Sequence, residues 1–298
     1  MIAGMYAAIS GLDANQAMLN DTASNLANVN TVGYKTSRVT FADELTQIVR
    51  GAAGPTATNG GSNPLQIGLG VQVQATRNEM SEGSFQQTNN PLDVAIEGNG
   101  FLRVGAGSPP AAGPYTSGLP TSMQYTRAGD LSANSLGFLV TEGGEYVIGR
   151  NAVATVGETG TTYAPGTEDS YLRIPPGSTN IAIGQNGAIS YTDQNPESPT
   201  YQQRVTAGFL SLATFPNEGG LERLGGSLWA QTANSGLPHV GTPQTSGFGA
   251  TVGGVLEQSN VDLATEMTTM ITAERGFQAN SRVISTANEM LGTLVTQL

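Results

Sequence analysis

Apolar residues recur with a heptad-like spacing at both ends of the chain. The C-terminal stripe combines two series with a spacing of seven: Leu263, Met270, Phe277, Ile284, Leu291 and Leu298, and beside them Ala273, Asn280, Ala287 and Leu294. The N-terminal stripe is Ile2, Met5, Ile9, Leu12, Leu19, Ala23 and Leu26, with Gln16 in the missing position. Such spacing keeps one seam of a helix towards a partner helix. The sequence therefore predicts terminal helices over 2–27 and 261–298 that pair as a coiled coil.

The predicted helix ends have matching signals. Asn28, Asn30 and Gly33 follow the first helix, and Asn and Gly tolerate the left-handed conformation that closes a helix. Before the second helix, a Ser or Asn side chain in the run 259–262 can cap the first turn, and Asp262 complements the helix dipole.

The middle of the chain is rich in glycine, and its pattern is typical of β-structure. Residues 71–75 and 93–96 alternate with period two, and residues 181–190 form a hairpin signature around Asn186 and Gly187. We predict an α+β, mainly β fold. A terminal helical core covers 1–30 and 258–298, a connector covers 31–72, and a β-rich outer domain covers 73–257. Surface insertions lie near 105–122 and 151–170, which are rich in Gly, Pro, Ser and Thr.

Charge and composition exclude several classes of partner. The formal net charge is −11 and only 12% of the residues are charged, so there is no basic stripe for nucleic acid. The chain has no cysteine, and therefore no disulfide or thiolate ligand. No segment is apolar enough to span a membrane, and the first basic residue is Lys35, so we expect export without a cleaved signal peptide.

Catalysis and membrane-surface binding are weaker alternatives. His239 is the single histidine, which excludes metal sites built on several His or Cys residues. The carboxylate pairs Asp93 with Glu97 and Glu142 with Glu145 lie where solvated acids are usual. The Gly-x-Gly turns at 68–70 and 98–100 lack the third glycine of a dinucleotide loop. We predict no catalytic residue, no metal and no cofactor. The terminal helices offer only Arg275 and Arg282 to a lipid surface.

Several motifs carry a resemblance to a known family. Residues 25–35 read NLANVNTVGYK, residues 92–101 read LDVAIEGNGF, residues 125–130 read YTRAGD, and residues 259–262 read SNVD, followed by RGFQANS at 275–281. Their order and spacing resemble the bacterial flagellar rod and hook protein family over nearly the whole chain. The motif positions are Asn25, Asn28, Asn30, Gly33, Asp93, Gly98, Gly100, Phe101, Ser259, Asn260 and Val261.

Within that family, segments 37–41, 63–71 and 282–291 are most similar to hook-type members. We therefore expect a short hook subunit without an additional outer domain, and a distal rod subunit is the alternative. The resemblance implies a curved hollow tube of identical subunits that transmits motor torque, or a straight drive shaft in the basal body. It also implies contacts with the flagellar export apparatus, the hook cap, the distal rod and the hook–filament junction proteins.

The two stripes, apart from Ala23 and Gln16, are the predicted assembly interface. The small residues Ala273 and Ala287 would let neighbouring helices approach closely, and a single Asn280 in the seam would fix the register. In the alternative, the alanines reflect helix propensity and Asn280 faces solvent. A terminal helix on its own is marginally stable, so we expect folding of the chain ends to be coupled to polymerisation.

Overall fold

The computed structural model describes residues 2–55, 60–110, 115–157, 160–198 and 200–296. The chain divides into two compact units. The helical unit comprises Met1–Val29, Thr36–Glu79 and Val261–Leu298, and the β unit comprises Asn30–Lys35 and Met80–Asn260. Each unit is therefore built from separated stretches of sequence.

Two long helices form the centre of the helical unit, as the apolar stripes predict. Helix α1 is Ile2–Ala27 and helix α2 is Leu263–Thr296. They lie antiparallel, because Gly11 is next to Asn280 and Asn15 is next to Gly276. The terminal helices and the β-rich middle are thus confirmed. The coiled-coil geometry of their pairing stays a prediction.

Asp262 provides the N-cap of α2. Its carboxylate accepts hydrogen bonds from the backbone N–H groups of Ala264 at 2.9 Å and Thr265 at 3.5 Å, and from the Thr265 hydroxyl at 3.0 Å. The Thr265 hydroxyl and these amides lower the pKa of Asp262. The sequence predicts Ser259 or Asn260 as the cap. The helix begins at Leu263, however, and Asp262 is the residue that directly precedes it.

Asn25 fixes the direction in which the chain continues beyond α1. Its side chain donates to the Ser37 carbonyl at 2.8 Å and accepts from the Ser37 N–H at 3.1 Å, so one amide satisfies both backbone groups. Its Nδ2 also lies 3.3 Å from Glu266 Oε1 in the first turn of α2. The Ser37 hydroxyl donates to Asp21. These four side chains connect both helices to the start of the first strand.

The rest of the helical unit is two antiparallel strand pairs. Strand β1 (Ser37–Asp43) pairs with β4 (Val71–Asn78), and β2 (Thr46–Arg50) pairs with β3 (Leu65–Gly68). Strands β1, β2 and β3 and the start of β4 lie within the segment 31–72, which the sequence assigns to a connector. The β1 and β4 segments pair over seven residue pairs, a long-range pairing that local glycine content does not reveal.

The β unit contains a 13-stranded antiparallel sheet with two separate strand pairs. The separate pairs are β5 (Phe85–Gln87) with β21 (Val255–Glu257), and β6 (Val94–Glu97) with β20 (Ala250–Gly253). The strands of the sheet are β7 (Phe101–Gly105), β8 (Gln124–Thr126), β9 (Leu131–Ala133), β10 (Leu139–Thr141), β11 (Tyr146–Gly157), β12 (Gly160–Tyr171), β13 (Thr179–Ile183), β14 (Ala188–Thr192), β15 (Arg204–Leu210), β16 (Leu212–Thr214), β17 (Glu222–Gly225), β18 (Leu228–Ala230) and β19 (His239–Gly241).

Three clusters of buried side chains form the core of the β unit. The largest is aliphatic and includes Val104, Leu139, Ile189 and Leu210. The second surrounds Trp229 with Phe101, Tyr125 and Phe215, and the third surrounds Phe138. Edge-to-face aromatic pairs occur in the latter two, such as Tyr125 with Phe215 at 4.8 Å between ring centroids. Burial on this scale gives the β unit a hydrophobic core of its own.

The strand pairing bears on three sequence predictions in the β unit. The predicted hairpin is confirmed, because β13 and β14 pair on either side of Asn186 and Gly187. The segment 151–170, predicted as a surface insertion, lies in two paired strands, because β11 pairs with β12 from Ile148 with Tyr171 to Gly157 with Gly160. In the insertion predicted at 105–122, residues 111–114 lie outside the described part of the chain.

The network around Glu266 gives a testable pH dependence. Burial raises the pKa of Glu266, and Asp21 adds to this, while the hydrogen bond from Asn25 opposes it. Because the folded-state pKa is raised, the ionised carboxylate costs stability at neutral pH. That cost is relieved as the pH falls through the raised pKa, and it is absent below the ordinary glutamate pKa.

We therefore expect Glu266→Gln to stabilise the helical unit at neutral pH and to have little effect in mild acid. The matched control is Glu274→Gln, at an exposed position of the same helix. Denaturant unfolding followed by far-UV circular dichroism at several pH values would measure both differences. Equal pH profiles for wild type and Glu266→Gln would contradict the argument.

Candidate functional site

The candidate site is a set of helix and hairpin surfaces in the helical unit, together with the motif residues in both units. No described residue group has the composition of a metal site, since no cluster of three or more His, Cys, Asp or Glu side chains occurs in the part of the chain described. His239 is exposed on β19. No described helix is long and apolar enough to cross a membrane.

The predicted stripe of α2 coincides with its least exposed face over most of the helix. Met270, Phe277, Asn280, Ile284 and Leu291 are half-buried, and Ala273 and Ala287 are buried. Glu266 continues this face towards the N-terminus of the helix. Leu263 and Leu294 are exposed at the two ends, and Leu298 lies outside the described residues. One chain therefore already covers much of this stripe.

The buried face of α1 is displaced by one residue from the predicted stripe. Met5, Leu12, Leu19 and Leu26 are half-buried and Ile9 is 43% exposed, while the side chain of Ile2 lies outside the described residues. The buried positions of α1 are Ala8, Gly11, Ala14, Thr22 and Asn25. Small and polar residues thus face the inside, and larger apolar residues flank them. The assignment of the predicted residues to the assembly interface stays a prediction.

Two asparagine–glycine contacts explain why small residues occupy the buried face. A Cβ added at Gly11 would lie 2.7 Å from Asn280 Nδ2, and one added at Gly276 would lie 2.5 Å from Asn15 Oδ1. Each asparagine therefore occupies the space that a larger residue on the opposite helix would need. The sequence predicts that Asn280 fixes the register of the helix seam. In the structure it meets α1 of its own chain.

Apolar side chains remain exposed on α2 outside this contact. Several are about half exposed or more: Leu263, Met267, Ile271, Val283, Met290, Leu294 and Val295. Single exposed apolar residues are normal on protein surfaces, but a concentration along one helix indicates an interaction surface.

The β2–β3 pair is also unusually apolar for an exposed structure. All residues of both strands are exposed. The exposed apolar side chains are Ile48, Val49, Leu65 and Ile67 in the strands and Leu45 directly before β2, from 47% to 81% exposed. An isolated two-stranded pair is at best marginally stable in water. This hairpin therefore offers a second apolar surface in the helical unit.

The motif segment at 30–35 lies in the β unit as a strap between distant elements. The Gly33 N–H donates to the Glu257 carbonyl at 2.8 Å. Gly33 has a φ of +65°, and a Cβ there would lie 2.5 Å from the Ala128 nitrogen. The Ser227 hydroxyl donates to the Val32 carbonyl at 3.1 Å. Glycine is needed at position 33 for both the conformation and the close approach.

A buried ion cluster follows directly at Lys35. Its ammonium lies 2.5 Å from Glu257 Oε1, and both side chains are fully buried. It also donates to the Ser81 carbonyl at 2.8 Å. Arg127 Nη1 lies 3.4 Å from Glu257 Oε2, and the Gly83 N–H donates to Glu257 Oε1 at 3.0 Å. Burial lowers the pKa of Lys35, and the carboxylate of Glu257 opposes that shift.

The strap is held further by an arginine between two rings. The Arg223 guanidinium lies 4.6 Å from the Tyr34 ring centroid and 5.0 Å from that of Trp229. Arg223 Nη2 also donates to the Lys35 carbonyl at 2.5 Å. Cation–π contact favours this sandwiched arrangement. Arg223 and Glu257 were not singled out from the sequence, since neither lies within a recognised motif.

The middle motif surrounds the same arginine that binds Glu257. Arg127 Nη2 donates to the Gly98 carbonyl at 2.8 Å, and its guanidinium lies 5.3 Å from the centroid of the Phe101 ring. Gly100 is buried next to Leu212. Asp93 is buried and accepts hydrogen bonds from Thr88 at 2.5 Å and Asn90 at 2.7 Å. These residues therefore have structural roles.

The remaining motif residues lie near the boundaries of helices and strands. Asn28 follows α1 and donates to the Ser24 carbonyl at 2.9 Å, and Asn30 is exposed in the following turn. Ser259 is buried, and Val261 precedes the Asp262 cap. Asn260 Nδ2 donates to the Ser81 carbonyl at 3.1 Å and lies 3.0 Å from its hydroxyl oxygen. These five motif residues thus lie close in sequence to the points where the chain changes from one unit to the other.

Three family models match this chain in the order of its motifs. The model "Flagella basal body rod protein" matches residues 5–35, "Flagellar hook protein FlgE/F/G D1 domain" matches residues 95–191, and "Flagellar basal body rod FlgEFG protein C-terminal" matches residues 252–298. They cover both helices and a large part of the β unit.

Similar proteins match over nearly their whole length. "Flagellar basal-body rod protein FlgG" of Bacillus subtilis is 36% identical over 296 residues, which cover 99% of this chain and 98% of the relative. The protein of the same name from Caulobacter vibrioides is 35% identical over 286 residues, 95% of each chain. "Flagellar hook protein FlgE" of Borreliella burgdorferi is 26% identical over 440 aligned residues, covering 99% of each.

These matches agree with the paired terminal helices, the β-rich middle and the motifs at the unit boundaries. The chain therefore belongs to the family of bacterial flagellar basal-body rod and hook proteins, whose members are structural proteins and not enzymes.

Proposed function

We propose that this protein is a subunit of the distal part of the flagellar basal-body rod, a straight hollow shaft of identical subunits that transmits torque. The observation that carries the proposal is similarity at nearly equal length to relatives named basal-body rod protein FlgG. The hook relative aligns over 440 positions although this chain has 298 residues, so it contains considerable additional sequence. The relatives thus favour the distal rod over the short hook subunit that the sequence motifs suggested.

The surfaces of the helical unit support polymerisation. Its exposed apolar side chains on α2 and on the β2–β3 pair would be buried between subunits that repeat head to tail, and a repeat that does not close forms a helical filament. The conformational entropy that is lost when the terminal helices become ordered would then be offset by the apolar surface buried between subunits. Low charge also fits a chain that is mostly covered by its neighbours, because only 12% of its residues are charged.

The proposal includes neighbours at each end of the filament. Subunits of a rod are added after export, so the flagellar export apparatus is a proposed partner, and other rod proteins and the hook are the proposed neighbours. A hook subunit, which would require the hook cap and hook–filament junction proteins instead, remains the second candidate because the hook relative also spans 99% of this chain.

Localisation separates the two candidates. Antibody labelling and electron microscopy of purified hook–basal bodies, from cells with and without the gene, would show where the protein lies. We expect label on a straight segment within the cell envelope and loss of that segment in the deletion strain. Label along a curved extracellular segment would instead identify a hook subunit, and absence of label from both would contradict the proposal.

The exposed apolar face of α2 can be tested with a single charge. Ile271 is 51% exposed, so Ile271→Glu should leave the monomer folded, but burying its carboxylate between subunits should reduce polymer yield by at least about tenfold. The matched control is Thr272→Glu, which introduces the same charge at the adjacent exposed position. Sedimentation of assembled protein gives the yield. An equal loss with both variants would contradict a specific role for the apolar face.

The buried face predicts a different outcome. Ala273 is fully buried, so Ala273→Leu should overpack the helix contact, destabilise the helical unit by about 1–3 kcal/mol and block polymerisation. Ala279→Leu, at an exposed position of the same helix, is the control. Trp229, the single tryptophan, reports on the β unit, and its fluorescence melting curve should not change. Normal polymer yield from Ala273→Leu would count against this role of Ala273.

A further inference from the structure

The chain enters or leaves the β unit at four points. All four lie close in sequence to residues that contact one another. The unit consists of Asn30–Lys35 and Met80–Asn260, so it has four chain ends. Lys35 binds the Ser81 carbonyl and Glu257, and Asn260 binds Ser81 through its side chain. The Asn260 N–H lies 3.4 Å from the Tyr34 carbonyl. We call Lys35, Ser81, Arg127, Glu257 and Asn260 the exit clasp.

The exit clasp differs in physical character from the core of the same unit. The three core clusters consist of apolar and aromatic side chains, whereas the exit clasp consists of charges and hydrogen bonds. Lys35 and Glu257 are fully buried and Arg127 is 3% exposed. A buried ion pair is strongly coupled, since losing one partner leaves the other charge without compensation in a place that water does not reach.

The contacts of Glu257 share one side chain. Its Oε1 accepts from Lys35 and from the Gly83 N–H, its Oε2 faces Arg127, and its carbonyl accepts from the Gly33 N–H. On either side of it the backbone pairs with β5, where the Gln258 N–H donates to the Ser84 carbonyl at 2.8 Å. A movement of Glu257 therefore changes the contacts of Gly33, Lys35, Gly83 and Arg127 together.

We propose that the exit clasp closes the chain ends of the β unit as one cooperative element, which opens and closes separately from the aliphatic core. Lys35, Arg127 and Glu257 are its positioning residues. When the clasp is closed, strap 30–35, strand β5 and strand β21 are fixed to one another. When it is open, these three segments are released together while the large sheet remains folded. In a torque-bearing subunit, a role that rests on the proposed function, the clasp would hold the β unit by all its chain ends at once.

Amide hydrogen exchange on the purified full-length protein tests this without reference to assembly. The reporters are the N–H groups of Gly33, Gly83 and Gln258, each hydrogen-bonded within or beside the exit clasp. The core references are Leu139 and Ile174, whose N–H groups donate to the Leu172 and Gly137 carbonyls at 3.0 and 2.7 Å. Exchange is followed over a series of low denaturant concentrations.

In the wild-type chain, the three reporters should share one opening equilibrium and one denaturant dependence, both smaller than those of Leu139 and Ile174. Lys35→Met should then accelerate exchange of all three reporters together by about 100-fold or more, because Glu257 loses its nearest cation. The core references should change little. Glu257→Gln should act on the same three reporters, and combining both substitutions should add little.

Arg103→Met is the matched control. It removes another arginine of the same unit, whose guanidinium forms a bidentate pair with Asp169 at 2.8 Å for both hydrogen bonds. It should leave the three reporters unchanged. Different opening equilibria for the three wild-type reporters would overturn the proposal, even if Lys35→Met does not fold. Equal acceleration of core and reporter amides by Lys35→Met would also overturn it. Neither result bears on whether the protein is a rod subunit.

Discussion

The ion pair between Lys35 and Glu257 joins residues that are 222 positions apart in the sequence. Lys35 closely follows the first helix, and Glu257 closely precedes the second. Both side chains are fully buried, and such a pair is costly to form from the hydrated charges and costly to break by removing one of them, about 3–5 kcal/mol in typical cases. The charges are satisfied only when the two distant stretches of chain meet in one arrangement.

The two units satisfy their buried groups in different ways. The β unit has three hydrophobic clusters and extensive strand pairing, so it has the properties of a domain with its own core. In the helical unit, small residues such as Gly11 and Gly276 allow close helix contact, while much larger apolar side chains remain exposed on α2 and on the β2–β3 pair. Under the proposed function, further copies of the chain would cover these side chains and stabilise the unit.

Several residues of the family motifs have structural roles. Asn25 satisfies the backbone of Ser37, Asp93 accepts from Thr88 and Asn90, and Arg127 connects Gly98, Phe101 and Glu257. These polar side chains satisfy buried backbone groups and charges that water cannot reach. This agrees with membership of a family that assembles into a shaft or hook.

Local sequence was sufficient for the features that depend on residues close together in the chain. The 3,4 spacing of apolar residues predicted both helices, Asn186 and Gly187 predicted a hairpin, and the motifs predicted the family. These features follow from helix periodicity and from the backbone conformations that particular residues allow. The choice between rod and hook depended on the length and similarity of relatives.

Features that depend on distant partners required the tertiary structure. The pairing of β1 with β4 and the extension of β11 and β12 depend on strands meeting across turn-rich sequence. The buried face of α1 is displaced by one residue from the apolar stripe. The close approach of the two helices at Gly11 and Gly276 decides which residues of α1 are buried. The burial of Glu257 beside Lys35 and Arg127 likewise depends on residues that are distant in the sequence. The helices and the family could thus be predicted from residues that are close together in the chain. The joint burial of Lys35, Arg127 and Glu257 could not, because burial depends on neighbours that the local pattern does not specify.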